Sequence, residues 1–430
     1  MKRTTLDLIQ NEALRYAMYI IMQRAIPNMI DGFKPVHRFF VHSAMKARGD
    51  DFKKVASIGG NVAEYGYHHG ETSANDAGSL LCATWCNNVT LLNGRGFFGS
   101  RLVRKPSEAR YIYCKLSPDF KKIYQDNDLV PVHDDPEHEP PAYYLPIIPT
   151  VLLNGISGIA KAYATNIPPH SLQSLTEGCM AYLKGKPFTL DVQIPAFKGT
   201  VKDGVITGLY DMQGKTKLHI TEIPPRFDRV GYLEVLNKLK EKGIVVSYDD
   251  LSKDDFEYTI VLKREYANKA TPERILNDFK LTENTNPNIN VIHEGKLEHF
   301  DTAEDLLKAF VDFRLGVYQQ RIDKKIRETE EAVSRANARV AFIKHMTENP
   351  DSLKGLTRKD AVELISSWEG CSHHAETLVQ MNIYHLTTDE IEKLLADLVL
   401  LIKDLNHWKT TTPDAEYTVD LKELLKSSKK

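Results

Sequence analysis

Two apolar stripes near the C-terminus constrain the fold more tightly than any other part of the sequence. The first runs through Ile322, Ile326, Thr329, Val333, Ala336, Val340 and Ile343 in steps that alternate four and three, while Lys324, Lys325, Arg327, Glu328, Glu330 and Glu331 charge the other face. The second runs through Ile391, Leu394, Leu398, Leu401, Leu405 and Trp408 in the same steps. A seam repeating every ~3.5 residues faces a partner helix along its whole length. Thr302-Ala303-Glu304-Asp305 and Thr387-Thr388-Asp389-Glu390 read as capping boxes that open the two helices. Between them, after Asn349-Pro350, lie only short helical stretches. The spacing predicts a long antiparallel coiled-coil arm with a small globular tip over residues 301–410, with a plain helical bundle as the alternative. Residues 411–430 read as a short helix and a basic tail.

Upstream, the pattern changes. Leu6, Ile9, Ala13, Tyr16, Ala17, Ile20 and Ile21 keep helical spacing until Pro27 stops the helix. Further helical stretches follow over 36–47, over 52–65 with an interruption at Gly59-Gly60, and over 73–86. Residues 91–116 are rich in Gly, Phe, Val and Tyr and read as a loop with short strands. Short helices followed by such a hairpin, with Lys and Arg throughout, predict a winged-helix DNA-binding domain within residues 1–150. Within 151–300, strand-like runs at Gly204–Asp211, Lys217–Glu222 and Phe256–Lys263 surround a helix, Val230–Lys242, and predict an α+β domain. Pro146–His170 is apolar, Gly-punctuated and poor in charge. The fold class is multidomain α+β.

Net charge is only −2, so affinity for nucleic acid has to come from local patches. One such patch is Arg95–Lys122, with eight Lys/Arg against two acids, Glu108 and Asp119. In it Tyr111 directly follows Arg110. A phenol with a pKa near ~10 is a weak nucleophile at neutral pH, yet it can attack a phosphodiester where cations stabilise the phenolate and the transition state. Composition alone leaves Tyr67 and Tyr113 as rivals. Residues 126–139 hold six acids and no Lys or Arg; their prolines favour a solvated loop over a metal site. Five scattered cysteines without a CxxC pair fit a reducing compartment. Cys82 and Cys86 read as an inert helix face. No apolar run reaches transmembrane length and no signal-peptide core is present, which points to the cytoplasm.

Several motifs, in order, resemble the breakage–reunion subunit of type IIA DNA topoisomerases: Arg24–Arg38 (RAIPNMIDGFKPVHR), Tyr67–Ser73 (YHHGETS), Leu92–Arg101 (LNGRGFFGSR), Ala109–Ser117 (ARYIYCKLS), Pro149–Ala160 (PTVLLNGISGIA), Ala164–His170 (ATNIPPH) and Ile220–Arg226 (ITEIPPR). The resemblance covers almost the whole chain. It implies that Tyr111 attacks a DNA phosphate and links to the 5′ end, with Arg110, Arg24, His68 and His69 around the scissile phosphate. It further implies DNA contacts by Lys34, His37, Arg38 and Arg101, and a wedge at Ile159 that unstacks a base step. The α+β domain corresponds to the family's tower, and the arm to its dimer-forming gate. The Tyr-His-His-Gly-Glu turn resembles the eukaryotic kind, Phe39 stands where many bacterial members have a second arginine, and Lys161-Ala162-Tyr163 replaces a more Gly-rich stretch.

No GxxxxGK[ST] loop occurs, nor a Glu…Asp-x-Asp motif of the Toprim type. Mg²⁺ and ATP are therefore expected on a partner ATPase/Toprim chain, with no metal site in this one. The expected assembly is a homodimer through the arm on double-stranded DNA. The chain ends just after the arm, where the gyrase counterparts continue into a DNA-wrapping domain, so relaxation and decatenation without negative supercoiling are expected. The rival readings are a non-catalytic architectural DNA-binding protein of the same fold and a tyrosine recombinase or relaxase, for which the arginine and histidine constellation is missing.

Overall fold

The computed structural model describes residues 12–161, 163–381 and 388–428. Leu6, Ile9 and the side chains of the second capping box and of Ile391 lie outside the described residues. The chain divides into two compact units, Met1–Phe313 with Asp420–Lys430, and Arg314–Val419.

In the first unit, the helices Pro35–Lys46, Val55–Gly60 and Glu71–Cys82 pack beside a three-stranded antiparallel sheet. Its strand order is Lys53–Lys54, Tyr113–Leu116, Leu92–Arg95. Pro35 suits the first helical turn because its missing N–H has no intrahelical partner there anyway. That helix buries Phe39, Phe40 and Val41. Gly78 lets the Glu71–Cys82 helix close on it, since a Cβ there would stand 2.1 Å from the Phe40 ring. The stretch expected to be helical to 86 stops at Cys82, where the Asn87 amide donates to the carbonyls of Leu80 and Ala83 at 2.7 and 2.8 Å and satisfies the frayed last turn. Cys86 is thus off the helix. Cys82 and Cys114 lie side by side, and that contact together with burial pushes the Cys82 thiol far up, so it stays protonated.

The first helix, Leu14–Ile20, passes into a π-helical turn, Ile21–Ala25, that ends where Ile26 turns extended before Pro27. Such turns are rare and concentrate at functional sites; this one carries Arg24. Downstream, Ile156–Ile159 and Ala164–Ile167 form a hairpin, and Ile289–His293 pairs with Lys296–Phe300.

A second module has a four-stranded antiparallel sheet in the order Val245–Asp250, Tyr258–Leu262, Lys217–Glu222, Leu209–Gln213. Leu218, Ile220, Tyr258 and Ile260 project from it onto Tyr232 and Leu236 of the helix Arg229–Glu241. Asp228 caps that helix, accepting from the Gly231 N–H at 2.8 Å.

Helix Ala303–Glu348 opens as expected, with the Asp305 N–H donating to Thr302 Oγ1 at 3.1 Å. Within the second unit, Ile322, Thr329, Ala336, Val340 and Ile343 of the stripe are buried and Ile326 and Val333 are half-buried. Helix Thr388–Thr410 runs antiparallel to it. Leu394 packs on the cluster of Phe342 and Ile343, whereas Lys409 pairs with Glu330 at 2.6 Å. The helix Arg358–Ser366 and the short turns after it cover the Phe342 end through Ile365, Cys371 and Leu378. Among the described residues no helix is long and apolar enough to cross a membrane.

Candidate active site

Tyr111 ends a turn, Ala109-Arg110-Tyr111, which Ile112 joins to the central strand Tyr113–Leu116. Three backbone hydrogen bonds fix the turn. Tyr111 N–H donates to Glu108 O at 2.8 Å, and the N–H groups of Val55 and Ala56, at the start of their helix, donate to Ile112 O and Ala109 O at 3.0 and 3.2 Å. Ile112 is buried and anchors the turn against Gly96, where a Cβ would stand 2.7 Å from the Ile112 side chain. Tyr111 is consequently held at its root and presented at its tip, with 69% of its surface exposed. The Arg110 guanidinium lies over its ring at 5.4 Å. No hydrogen-bond partner for the Tyr111 hydroxyl occurs among the described residues.

The rival phenols meet different surroundings. Tyr113 sits half-buried in the strand. Tyr67 is buried, and burial raises its pKa despite the nearby Arg24 charge.

A second cluster gathers around Tyr67. Its ring meets His69 edge-on at 5.3 Å, and Tyr19 OH lies 2.9 Å from His69 Nε2. Burial lowers the His69 pKa, with Arg24 and His68 lowering it further, so the ring is neutral at pH 7. His68 pairs with Glu137 at 3.3 Å. Within one chain, Arg24, His68 and His69 come together, and no hydrogen bond or ion pair joins them to Tyr111 among the described residues.

Lys34, His37 and Ile159 form a third group. Lys34 Nζ donates to Ser157 O at 2.8 Å, on the hairpin that carries Ile159. Ile159 is 88% exposed, which is incompatible with a core role. Burial lowers the pKa of Lys34 and, together with the neighbouring Lys34 and Arg38 charges, brings His37 down to about 3. Lys34, His37, Ser157 and Asn166 line a shared cavity of about 650 Å³.

Two residues read as DNA contacts have their charge committed inside the chain. Arg38 is 7% exposed and grips Asp31 bidentately at 2.8 and 3.1 Å. Arg101 pairs with Glu222 at 3.1 Å, donates to Ile223 O at 2.7 Å and lies over Phe197 and Phe256. Arg104, next in the basic run, likewise turns inward to Pro225 O. A sequence gives the charge of these side chains but not the carboxylate or carbonyl that claims it.

Sequence reasoning misses Tyr19, Glu137 and Ser157 as partners of the site. Only Glu137 carries a signal, in the acidic run 126–139, whose loop folds back on the histidine turn. Glu139 N–H donates to Tyr65 O at 3.1 Å and its carboxylate pairs with Lys46 at 2.7 Å.

The family model for the A chain of DNA gyrase/topoisomerase IV matches residues 24–425. The chain belongs to this type II DNA topoisomerase family. It is 46% identical over 432 residues to the DNA topoisomerase medium subunit of Enterobacteria phage T4, covering 97% of this chain and 98% of that topoisomerase chain. It is 30% identical to DNA topoisomerase 2 of Arabidopsis thaliana, of which it spans only 33%. Among solved topoisomerases, the Plasmodium falciparum topoisomerase II DNA-binding, cleavage and re-ligation domain superposes with a TM-score of 0.86 at 25% identity, over 98% of this chain and 64% of that one.

Proposed function

We propose that this chain cuts and reseals duplex DNA, with Tyr111 as the nucleophile. The observation that carries this is the contrast among the phenols. Tyr111 alone of the three is exposed, rigidly rooted and covered by an arginine. Its hydroxyl oxygen attacks a backbone phosphorus, the phenol proton is released, and the P–O3′ bond breaks to leave a 3′-hydroxyl and a 5′-phosphotyrosyl ester. Religation reverses each step and restores the phenol. The ester preserves the energy of the broken bond, so resealing needs no external supply. Arg110 stabilises charge on the phenolate and on the phosphate oxygens.

Arg24, His68 and His69 supply a second set of phosphate-facing groups, with His69 as a neutral hydrogen-bonding ring. Lys34 and His37 hold the backbone beside the hairpin, and Ile159 wedges between base pairs. Arg38 and Arg101 act by positioning these segments from inside.

The domain organisation we assign is a winged-helix domain within 1–150, a tower within 151–300, a coiled-coil arm with a dimer-forming tip over 301–410, and a terminal helix with a basic tail over 411–430. Among the described residues no group of three or more His, Cys, Asp or Glu is arranged to hold a metal ion. The sequence carries neither a GxxxxGK[ST] loop nor a Toprim-type Glu…Asp-x-Asp motif, and on that ground we assign Mg²⁺ and ATP to a partner ATPase/Toprim chain; no step here is routed through them. Relaxation or decatenation in a bacterial cytoplasm, by a dimer of this chain with that partner, is the activity proposed.

With the partner and Mg²⁺ present, Tyr111→Phe should abolish covalent DNA–protein complexes while leaving DNA binding within about two-fold, because the hydroxyl is not needed for backbone contacts. Persistent covalent complexes in Tyr111→Phe would remove Tyr111 from the mechanism and leave the architectural reading standing.

A further inference from the structure

The hairpin bearing Ile159 is not a free-standing wedge. Gly158 lies against the main chain of Ala25: a Cβ at 158 would stand 2.1 Å from the Ala25 carbonyl oxygen and 3.3 Å from Lys34 Nζ. Its backbone is outside the left-handed region, so this is a matter of space and not of conformational preference. Three more contacts tie the hairpin to the same segment. Lys34 Nζ donates to Ser157 O at 2.8 Å, Lys161 Nζ lies 5.2 Å over the Tyr16 ring, and Ala160 packs into the cluster of Ile21, Ala25, Ile26 and Ile292.

The second strand of the hairpin, whose Ala164 pairs with Ile159, is fixed as well. Asn290 Nδ2 donates to Ala164 O at 2.7 Å and to Asn288 Oδ1 at 3.0 Å, and its Oδ1 meets His299 Nδ1 at 3.0 Å. Asn288 and Asn166 exchange both backbone hydrogen bonds, at 2.8 and 2.9 Å. All the donors and acceptors of the buried Asn290 amide are thereby directed at one geometry, so the hairpin has a single seat.

Resting on the reading of Ile159 as wedge and Arg24 as phosphate ligand, we propose that Gly158 and Asn290 are positioning residues that make wedge and ligand one rigid unit. The Ala25 carbonyl pressed on Gly158 belongs to the residue next to Arg24, so seating the wedge in DNA also sets the register of Arg24 on the phosphate. DNA that is not bent is not presented to Arg24, and cleavage is thus conditional on bending. A methyl at 158 intrudes about 1 Å into ordinary C···O contact distance and shifts Arg24 relative to the hairpin.

The test uses the chain with its partner on duplexes carrying a fluorophore pair that reports bending, either fully paired or mismatched at the cleavage step so that they bend without help. Ile159→Ala removes only the wedge, so its covalent adduct should fall on the paired duplex and recover on the mismatched one. Gly158→Ala should lose about 100-fold in adduct on both, the scale of a 1 Å misplacement, with bending of the mismatched duplex intact. Asn290→Ala, which frees the hairpin's second strand at Ala164 without adding bulk, should likewise fail to recover fully on the mismatched duplex, and it serves if Gly158→Ala does not fold. Recovery of either variant to the extent of Ile159→Ala, or wild-type adduct from either on paired DNA, overturns the coupling. A wild-type complex that neither bends nor cleaves the paired duplex refutes instead the reading on which the coupling rests.

Discussion

At the scale of single residues, charge matters through what claims it. Asp31 is fully buried and accepts from Arg38, from the Phe33 N–H at 3.0 Å and from the Tyr144 N–H at 3.1 Å. Together these bonds fix the turn that aims Lys34 and His37. Asp31→Ala strands a guanidinium and two N–H groups without solvent. Breaking a buried pair from one side costs roughly 3–5 kcal/mol, so chemical denaturation should show a loss of that size. A loss below about 1 kcal/mol, the scale of an exposed pair, would mean that Arg38 finds another partner or water. The motif RAIPNMIDGFKPVHR identifies the segment, but nothing in it separates Lys34 at a cavity mouth from Arg38 inside the protein. The distinction is made by Asp31 folding back across seven residues, and for Arg101 by Glu222, far along the chain.

At the scale of elements, periodic stretches are legible in the sequence and short ones are not. Pro35 and the apolar face of Phe39, Phe40 and Val41 place the Pro35–Lys46 helix to within a residue. Among the residues whose side chains are described, the two C-terminal stripes emerge as buried or half-buried seams because seven-residue spacing admits one packing face. The Ile156–Ile159 hairpin offers no such pattern. Its strands are four residues each, and its stability comes from Asn288, Asn290 and Ala25, which no local window contains. The strand Val245–Asp250 escapes sequence reasoning for a related reason: it is an edge strand, half-exposed and polar at its end. Within the arm, Ile343 is fully buried while Val399 is 65% exposed on the facing helix. Ile343→Ala should therefore cost about 2–5 kcal/mol in the unfolding of unit Arg314–Val419, and Val399→Ala should lie within about 0.5 kcal/mol of wild type when the chain is held monomeric by dilution. Equal losses for the two would mean that the antiparallel seam is not what holds the unit together.

At the scale of the whole molecule, the site is dispersed. Tyr111 with Arg110 stands on one turn, Arg24 with the histidines forms a separate cluster, and the hairpin bearing Ile159 lies against Ala25 beside the latter. Such a layout suits a reaction in which DNA, by bending, brings the groups to work on one phosphate. The nucleophile itself is most directly tested by mapping the attachment point. Covalent complexes trapped with Mg²⁺ and the partner chain, digested with nuclease and with trypsin, should yield the peptide Tyr111–Lys115 bearing a nucleotide through its 5′ phosphate. Its fragmentation spectrum should put that phosphate on Tyr111. A phosphate on Tyr113, on Tyr67, or on no peptide of this chain contradicts the assignment.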